Sequence, residues 1–203
     1  MVRAALLGKR RGRLYPAAMA LPHYFTGRLI LALPAIGDPR FDHAVIAIAN
    51  HDADGAMGVA IGDPGSLSFS DVLEQAELGS LAGADSRVLI GGPVEPQRGF
   101  VLHSRDWAGE GTIDVAGLFS LTASFDILRA IADGGGPSRW QLAMGYAGWG
   151  PGQLEAEIAA DAWHVTEADE SILFDIAPES RWRATMARDG IDPARIAVRG
   201  GRA

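Results

Sequence analysis

The stretch "GGPVEPQRGFVLHS", Gly91 to Ser104, decides how the rest of the chain is read. Two adjacent glycines after the apolar run "RVLI" resemble a dinucleotide-binding turn. Such a turn must open a helix, whose amino terminus holds the pyrophosphate. Here the glycines lead into "GFVLHS", which reads as a strand. Pro93 and Pro96 also remove two N–H donors from any anion-binding nest. The stretch is therefore a stiff connection between strands, its glycines supplying unusual backbone angles. Arg98 is its one candidate for binding, because a planar guanidinium matches a carboxylate or phosphate.

Outward from this connection, strands and helices alternate without the regular βαβ order of a doubly wound sheet. "GRLILAL" (27–33) is a continuous apolar run of strand length, as expected for burial on both faces. "HAVIAIAN" and "AMGVAI" flank the turn "HDADG", which predicts a hairpin with Gly55 at positive φ. A helix is expected after Ser70 as its cap, and another over "TASFDILRAIADGGG" with Phe125, Leu128 and Ile131 on one face. "SRWQLAMGYAG" predicts a strand, and "WGPGQLEAEIAADAW" a helix with Pro151 in its first turn. "ILFD" reads as a short strand, and "PESRWRATMARDG" as a last helix from Pro178 to near Gly190. The fold class is α+β. Residues 19–203 are assigned to a single domain.

Composition narrows the chemistry. Apolar residues at 48% and charged residues at 21% describe an ordinary globular chain. The longest apolar run, Leu29 to Ile36, is far shorter than the roughly 18 residues of a membrane span. No cysteine is present, which excludes disulfides, thiolate nucleophiles and cysteine-held metals. Lys9 is the only lysine, so the domain has no phosphate-binding lysine loop. The first 13 residues carry +5 of a net charge of −7, so the remainder carries −12 and repels nucleic acid. Residues 1–18 are expected to be a basic, disordered extension or the result of a start assigned too early. Met19 is then the natural start.

Candidate sites are sparse. The five histidines show no metal-binding spacing, and "HDADG" lacks the glutamate that a calcium loop needs, so neither a metal nor a cofactor is expected. His51, beside Asp52 and Asp54, and His103, on an apolar strand, are the two possible bases. No serine stands in a nucleophile-elbow motif. Glu155 and Glu157, near the start of a helix, are expected to serve the helix dipole and solubility, with Trp149 and Trp163 packing that helix to the sheet.

Three segments together carry a resemblance: "YFTGRLILALPAIGDPRF" with "HDADGAMGVAI", then "GGPVEPQRGFVLHS", then "GYAGWGPGQLEAEIAADAW". With "ILFD", "RW" and "GIDP" in the tail, the chain resembles the AlgH/YqgE family of bacterial proteins from about Tyr24 to Pro193. The resemblance implies a bifurcated, partly barrel-like mixed sheet surrounded by helices, in a cytoplasmic protein customarily labelled a transcriptional regulator. It implies no established activity. It marks Asp38, Arg40, His51, Arg98, His103, Trp149, Gln153 and Glu155 as a ligand or partner surface. Ala49-Asn50-His51 and Gly62-Asp63-Pro64 depart from a Cys-Glu-His and an Asn-Lys-Pro of relatives, which removes a thiol and a lysine.

The expectation is a regulatory or interaction protein that acts through a protein partner or a small anionic ligand. The alternative is an enzyme or anion-binding protein in which Arg40 or Arg98 holds a phosphate or carboxylate and His51 or His103 is the base. That alternative requires the four residues to meet in one cleft. Direct nucleic-acid binding is the weakest reading, since there is no basic helix to enter a groove.

Overall fold

In the computed structural model, which describes residues 24–79 and 86–192, the first apolar run forms β1 (Arg28–Ala32). The basic extension, Met19 and Pro193 lie outside the described residues. Next come β2 (Val45–Asp52), β3 (Gly55–Ala60), β4 (Pro64–Ser68) and α1 (Phe69–Gln75). The stretch around the double glycine joins β5 (Arg87–Ile90) to β6 (Val94–His103). β7 (Ile113–Val115), β8 (Phe119–Thr122), α2 (Phe125–Ala132) and β9 (Trp140–Trp149) follow. The chain then forms α3 (Gln153–Ala159), β10 (Trp163–Glu167) and α4 (Pro178–Arg188). No helix among the described residues is long and apolar enough to cross a membrane.

The strands make one curled, half-barrel sheet in the order β10-β1-β2-β3-β9-β6-β8-β7, antiparallel throughout this path. Its trunk is β9. Along one edge β9 pairs with β6. Along the other, Ala143 and Met144 run parallel to Leu89 and Ile90 of β5, and residues 147–149 run antiparallel to residues 56–58 of β3. The sheet forks there, with β4 paired outside β5.

Because β5 and β6 lie on opposite edges of β9, the chain between them has to cross it. It does so at Gly91 and Gly92. A Cβ on Gly92 would stand 2.2 Å from the carbonyl carbon of Tyr146, and one on Gly91 2.3 Å from the Gly145 oxygen. Gly92 also has φ +150°, and Gly145 opposite it has φ +73°. The Gly91 N–H donates to Met144 O and its oxygen accepts from Ala60 N–H, both at 2.8 Å. The double glycine is thus a backbone crossing rather than a bend. Val94 beyond it already pairs with Tyr146.

Alternation along β1 feeds two cores. Leu29 and Leu31 join Val45, Phe100, Phe119 and Trp182 on one face, and Ile30 joins Ile46, Ile48, Trp149, Leu154 and Trp163 on the other. Burying each such side chain contributes about 1.5–3 kcal/mol. A third core sits under α1 and α2, around Phe69, Leu73, Ile127, Leu128 and Ile131.

Local readings differ from the structure at four places. α1 is capped by Ser68, whose hydroxyl accepts from Asp71 N–H while the Asp71 carboxylate accepts from Ser68 N–H, so the helix starts two residues earlier than Ser70 implied. Residues 171–175, around "ILFD", form one π-helical turn, because Asp169 caps Ile172 N–H and Ile176 N–H reaches back to Ser171 O; the strand is instead "WHVTE". Pro151 precedes α3, which Gly152 caps. Phe125 opens α2 but points outward, Ile127 taking its place in the core.

Replacing Gly92 by alanine should cost about 3 kcal/mol or more, combining overpacking with backbone strain. Gly135→Ala, where the nearest atom is 3.9 Å away, should change little. Urea unfolding midpoints of the two variants measure the difference. Equal midpoints would remove the crossing as the reason for the double glycine.

Candidate functional site

Four of the eight candidate residues meet at one end of β2. The His51 side chain is 1% exposed. Its Nδ1 accepts the Phe25 N–H at 3.0 Å, which puts the ring proton on Nε2. Nε2 lies 3.2 Å from Glu155 Oε1 without making a hydrogen bond to it. The ring is stacked on Phe25 and edge-on to Tyr24, and Thr26 bonds the His51 backbone on both sides. With one nitrogen held by backbone and the other enclosed beside a carboxylate, the imidazole is shut away from solvent. The "HDADG" turn beside it is ordinary turn chemistry, with Asp52 accepting from Asp54 N–H and from the Asn50 amide.

Trp149 and Gln153 belong to the same end, through a residue read as surface. Glu157 Oε2 accepts both indole N–H groups, from Trp149 at 2.9 Å and Trp163 at 2.7 Å. Its Oε1 accepts the Gln153 amide at 2.9 Å, and Gln153 in turn caps Gly150 N–H. Glu157 therefore fastens α3 to β9 and β10. The i, i+4 spacing from Gln153 was visible in sequence, but the two tryptophans reach it only through the fold.

The other four do not join them. Asp38 and Arg40 close on one another in a 3-10 turn between β1 and β2, with 2.6 Å between the Arg40 Nη2 and Asp38 Oδ2. Hydrogen bonds from the Arg40 guanidinium and amide hold the Asp38 carboxyl below its ordinary range. Arg40 lies in the turn before β2 and His51 near the far end of that strand, which spans on the order of 20 Å from Val45 to His51 at about 3.3 Å per residue. Arg98 is exposed, paired with Glu95 at 3.1 Å, and lies over the Phe100 ring.

His103 is fully buried. Its Nδ1–H donates to Ser104 O at 2.8 Å, leaving Nε2 to accept from the Thr122 hydroxyl at 2.9 Å. Thr122 accepts from Thr112, which accepts from Gly109 N–H, so every member of the chain has a donor and an acceptor. Burial pushes the His103 imidazole below its ordinary value of 6.5. No group of three potential metal ligands occurs among the described residues.

One concave surface stands apart from these residues except Arg98. Residues 95–98 of β6 pair with neither neighbouring strand, β8 ending before it reaches them. The gap is a groove of about 550 Å³ floored by Val101, Leu142 and Met144 and walled by Pro96 and Leu128. Phe125, 68% exposed, stands at its mouth. Ser124 caps α2 without bonding to it, and its buried hydroxyl has no partner among the described residues.

Two outcomes test this description. His103 stays neutral in the folded state while the unfolded chain takes a proton near 6.5, so its contribution is complete above that value and is lost as pH falls below it. Between pH 7 and 5 the unfolding free energy of the wild type should fall more steeply than that of His103→Gln, by at most about 1.4 kcal/mol per pH unit for one proton. Parallel urea-derived profiles would refute this. Glu157→Gln puts an amide donor where the indole or Gln153 donors need an acceptor, and should cost about 1–3 kcal/mol. Tryptophan emission and unfolding midpoint read that loss together.

The model of the AlgH-like family, DUF179, matches residues 29–194, from within β1 to beyond α4. A UPF0301 protein of Sphingopyxis alaskensis is 54% identical over 183 residues, 90% of this chain and 98% of that protein. A UPF0301 protein of Novosphingobium aromaticivorans is 50% identical, over 88% and 96% of the two chains. The solution structure of the AlgH protein from Pseudomonas aeruginosa is 36% identical with a TM-score of 0.74, over 92% of this chain and 98% of that one. With sequence and fold alike along this length, the chain belongs to the AlgH-like family.

Proposed function

We propose that this chain is a cytoplasmic regulatory protein that works by binding, without direct contact with nucleic acid, and that a protein partner seats in the groove beneath Phe125. The carrying observation is Phe125 itself, a phenyl ring 68% exposed over an apolar floor. Large exposed aromatics beside a groove are the usual anchors of protein interfaces. Residues 95–98 add unpaired backbone along one wall, which an extended segment of a partner can use. The Arg98–Glu95 pair on that wall cancels its own charge, so the groove favours an apolar occupant. Remoteness from nucleic acid rests on the acidic body of the chain, and the cytoplasmic setting on the family resemblance.

The catalytic alternative has less support. Arg40 and Arg98 border different depressions, each is closed by its own carboxylate, and both histidines are buried away from either depression.

Native mass spectrometry of protein purified gently from its own host tests the reading. A stoichiometric protein partner should accompany the wild type and be lost from Phe125→Glu, whose exposed position leaves the unfolding midpoint unchanged. A retained small-molecule mass that disappears in Phe125→Glu would put a ligand in place of the partner. A partner kept by Phe125→Glu would sink the groove as the site.

A further inference from the structure

Ten arginines fall in the described residues, and seven have a carboxylate within 4 Å: Arg28, Arg40, Arg98, Arg105, Arg129, Arg139 and Arg188. In so acidic a chain the exceptions stand out. Arg181, in the first turn of α4, is the most buried of the exceptions at 2% exposure. Its Nε donates to Ile176 O at 2.9 Å, and its Nη1 to Ile61 O at 2.7 Å and Gln141 Oε1 at 2.6 Å. All three acceptors are neutral. The two N–H groups on Nη2 have no partner among the described residues. Buried charges are ordinarily paired, because removing the ion from water is offset only by a counter-charge. Burial lowers the Arg181 guanidinium to about 10, so it still carries its proton at neutral pH.

Arg181 lines a cleft of about 690 Å³ where the fork of the sheet meets α4. Arg87, exposed and likewise without a carboxylate within 4 Å among the described residues, borders the same cleft, with Trp140 and Phe174 as apolar walls. Asp175 and Glu179 also border it. Asp175 is bound to Arg139, and Glu179 is exposed to water, which screens it. Glu179 attracts the Arg181 guanidinium and partly offsets the effect of burial, but makes no ion pair with it within 4 Å. Arg181 and Arg87 are the two guanidiniums lining the cleft that have no carboxylate at contact distance among the described residues.

We propose that this cleft binds a small organic oxyanion, a carboxylate or phosphate head on a flat apolar body. The head pairs with Arg181 Nη2 and with Arg87, and the body lies against Trp140 and Phe174. This site is separate from the groove beneath Phe125 and does not depend on it.

The test uses the full chain, ¹⁵N-labelled, titrated with benzoate and with phenyl phosphate as probes. Saturable shifts are expected at the Trp140 indole and the Gln141 side-chain amide, with affinity in the millimolar range, about −4 kcal/mol. Which probe binds more tightly identifies the head group. Arg87→Ala should weaken binding several-fold, and Arg181→Gln should abolish it. Should Arg181→Gln fail to fold, Arg87→Ala still decides. Phe125→Glu should leave both titrations unchanged, which separates this site from the partner groove. No saturable shift at these residues with either probe, or an Arg87→Ala protein that binds like the wild type, overturns the proposal and leaves Arg181 as a tie between α4 and the sheet.

Discussion

The close passage of Gly91 and Gly92 over Gly145 and Tyr146 is the constraint on which the rest of this structure depends. Two backbones meet there with no room for a side chain between them. Only because they do can β9 hold β6 on one edge and both β5 and β3 on the other. Crossing from edge to edge has consequences on each side. After Val94, β6 leaves β9 and rejoins it at Gly99, and the intervening residues become a wall of the groove beneath Phe125. Before the crossing, β5 is split away from β3, and the wedge opened there becomes the cleft that holds Arg87 and Arg181. Both candidate binding surfaces are products of one backbone contact.

The polar side chains that invite a catalytic reading are spent on architecture. His51 accepts an amide that β1 leaves unpaired at its approach, and His103 ends a chain of hydroxyls that starts at a backbone N–H. Each donor or acceptor left unmet in such surroundings would cost about 1–3 kcal/mol, so the rings are held in one tautomer by what they satisfy. Glu157 does the same for two indoles. Among these groups only the His51 Nε2, beside Glu155, makes no hydrogen bond. Seven of the ten arginines in the described residues are similarly occupied by a neighbouring acid, Arg87, Arg181 and Arg183 being the exceptions.

Much of this was legible where the signal is local. The unbroken apolar run at 27–33 foretold a strand buried on both faces, and Leu29/Leu31 and Ile30 do feed opposite cores. The hairpin turn at Gly55, the Pro178 start of α4 and the family resemblance were equally plain. "ILFD" misled because a four-residue apolar run has no period to separate strand from helical turn. Phe125 misled because a residue at the first position of a helix has no preceding turn to fix its face. The fork, the Glu157 hub and the isolation of Arg181 rest on partners 6 to 120 positions away in the chain. Nothing local records them.

The two surfaces also differ in the forces that fill them. At the Phe125 groove, charges on the wall cancel and the gain comes from removing an aromatic ring and apolar floor from water, a term that salt leaves largely intact. At the Arg181 cleft, the gain comes from one charge whose low-dielectric surroundings strengthen attraction and limit screening. The acidic body slows the approach of any anion from solution, but that long-range field is damped beyond about 8 Å at physiological ionic strength. What remains at contact is the guanidinium itself. An acidic protein can therefore hold an anion at Arg181 and still repel a polyanion, whose affinity depends on many exposed cations acting together.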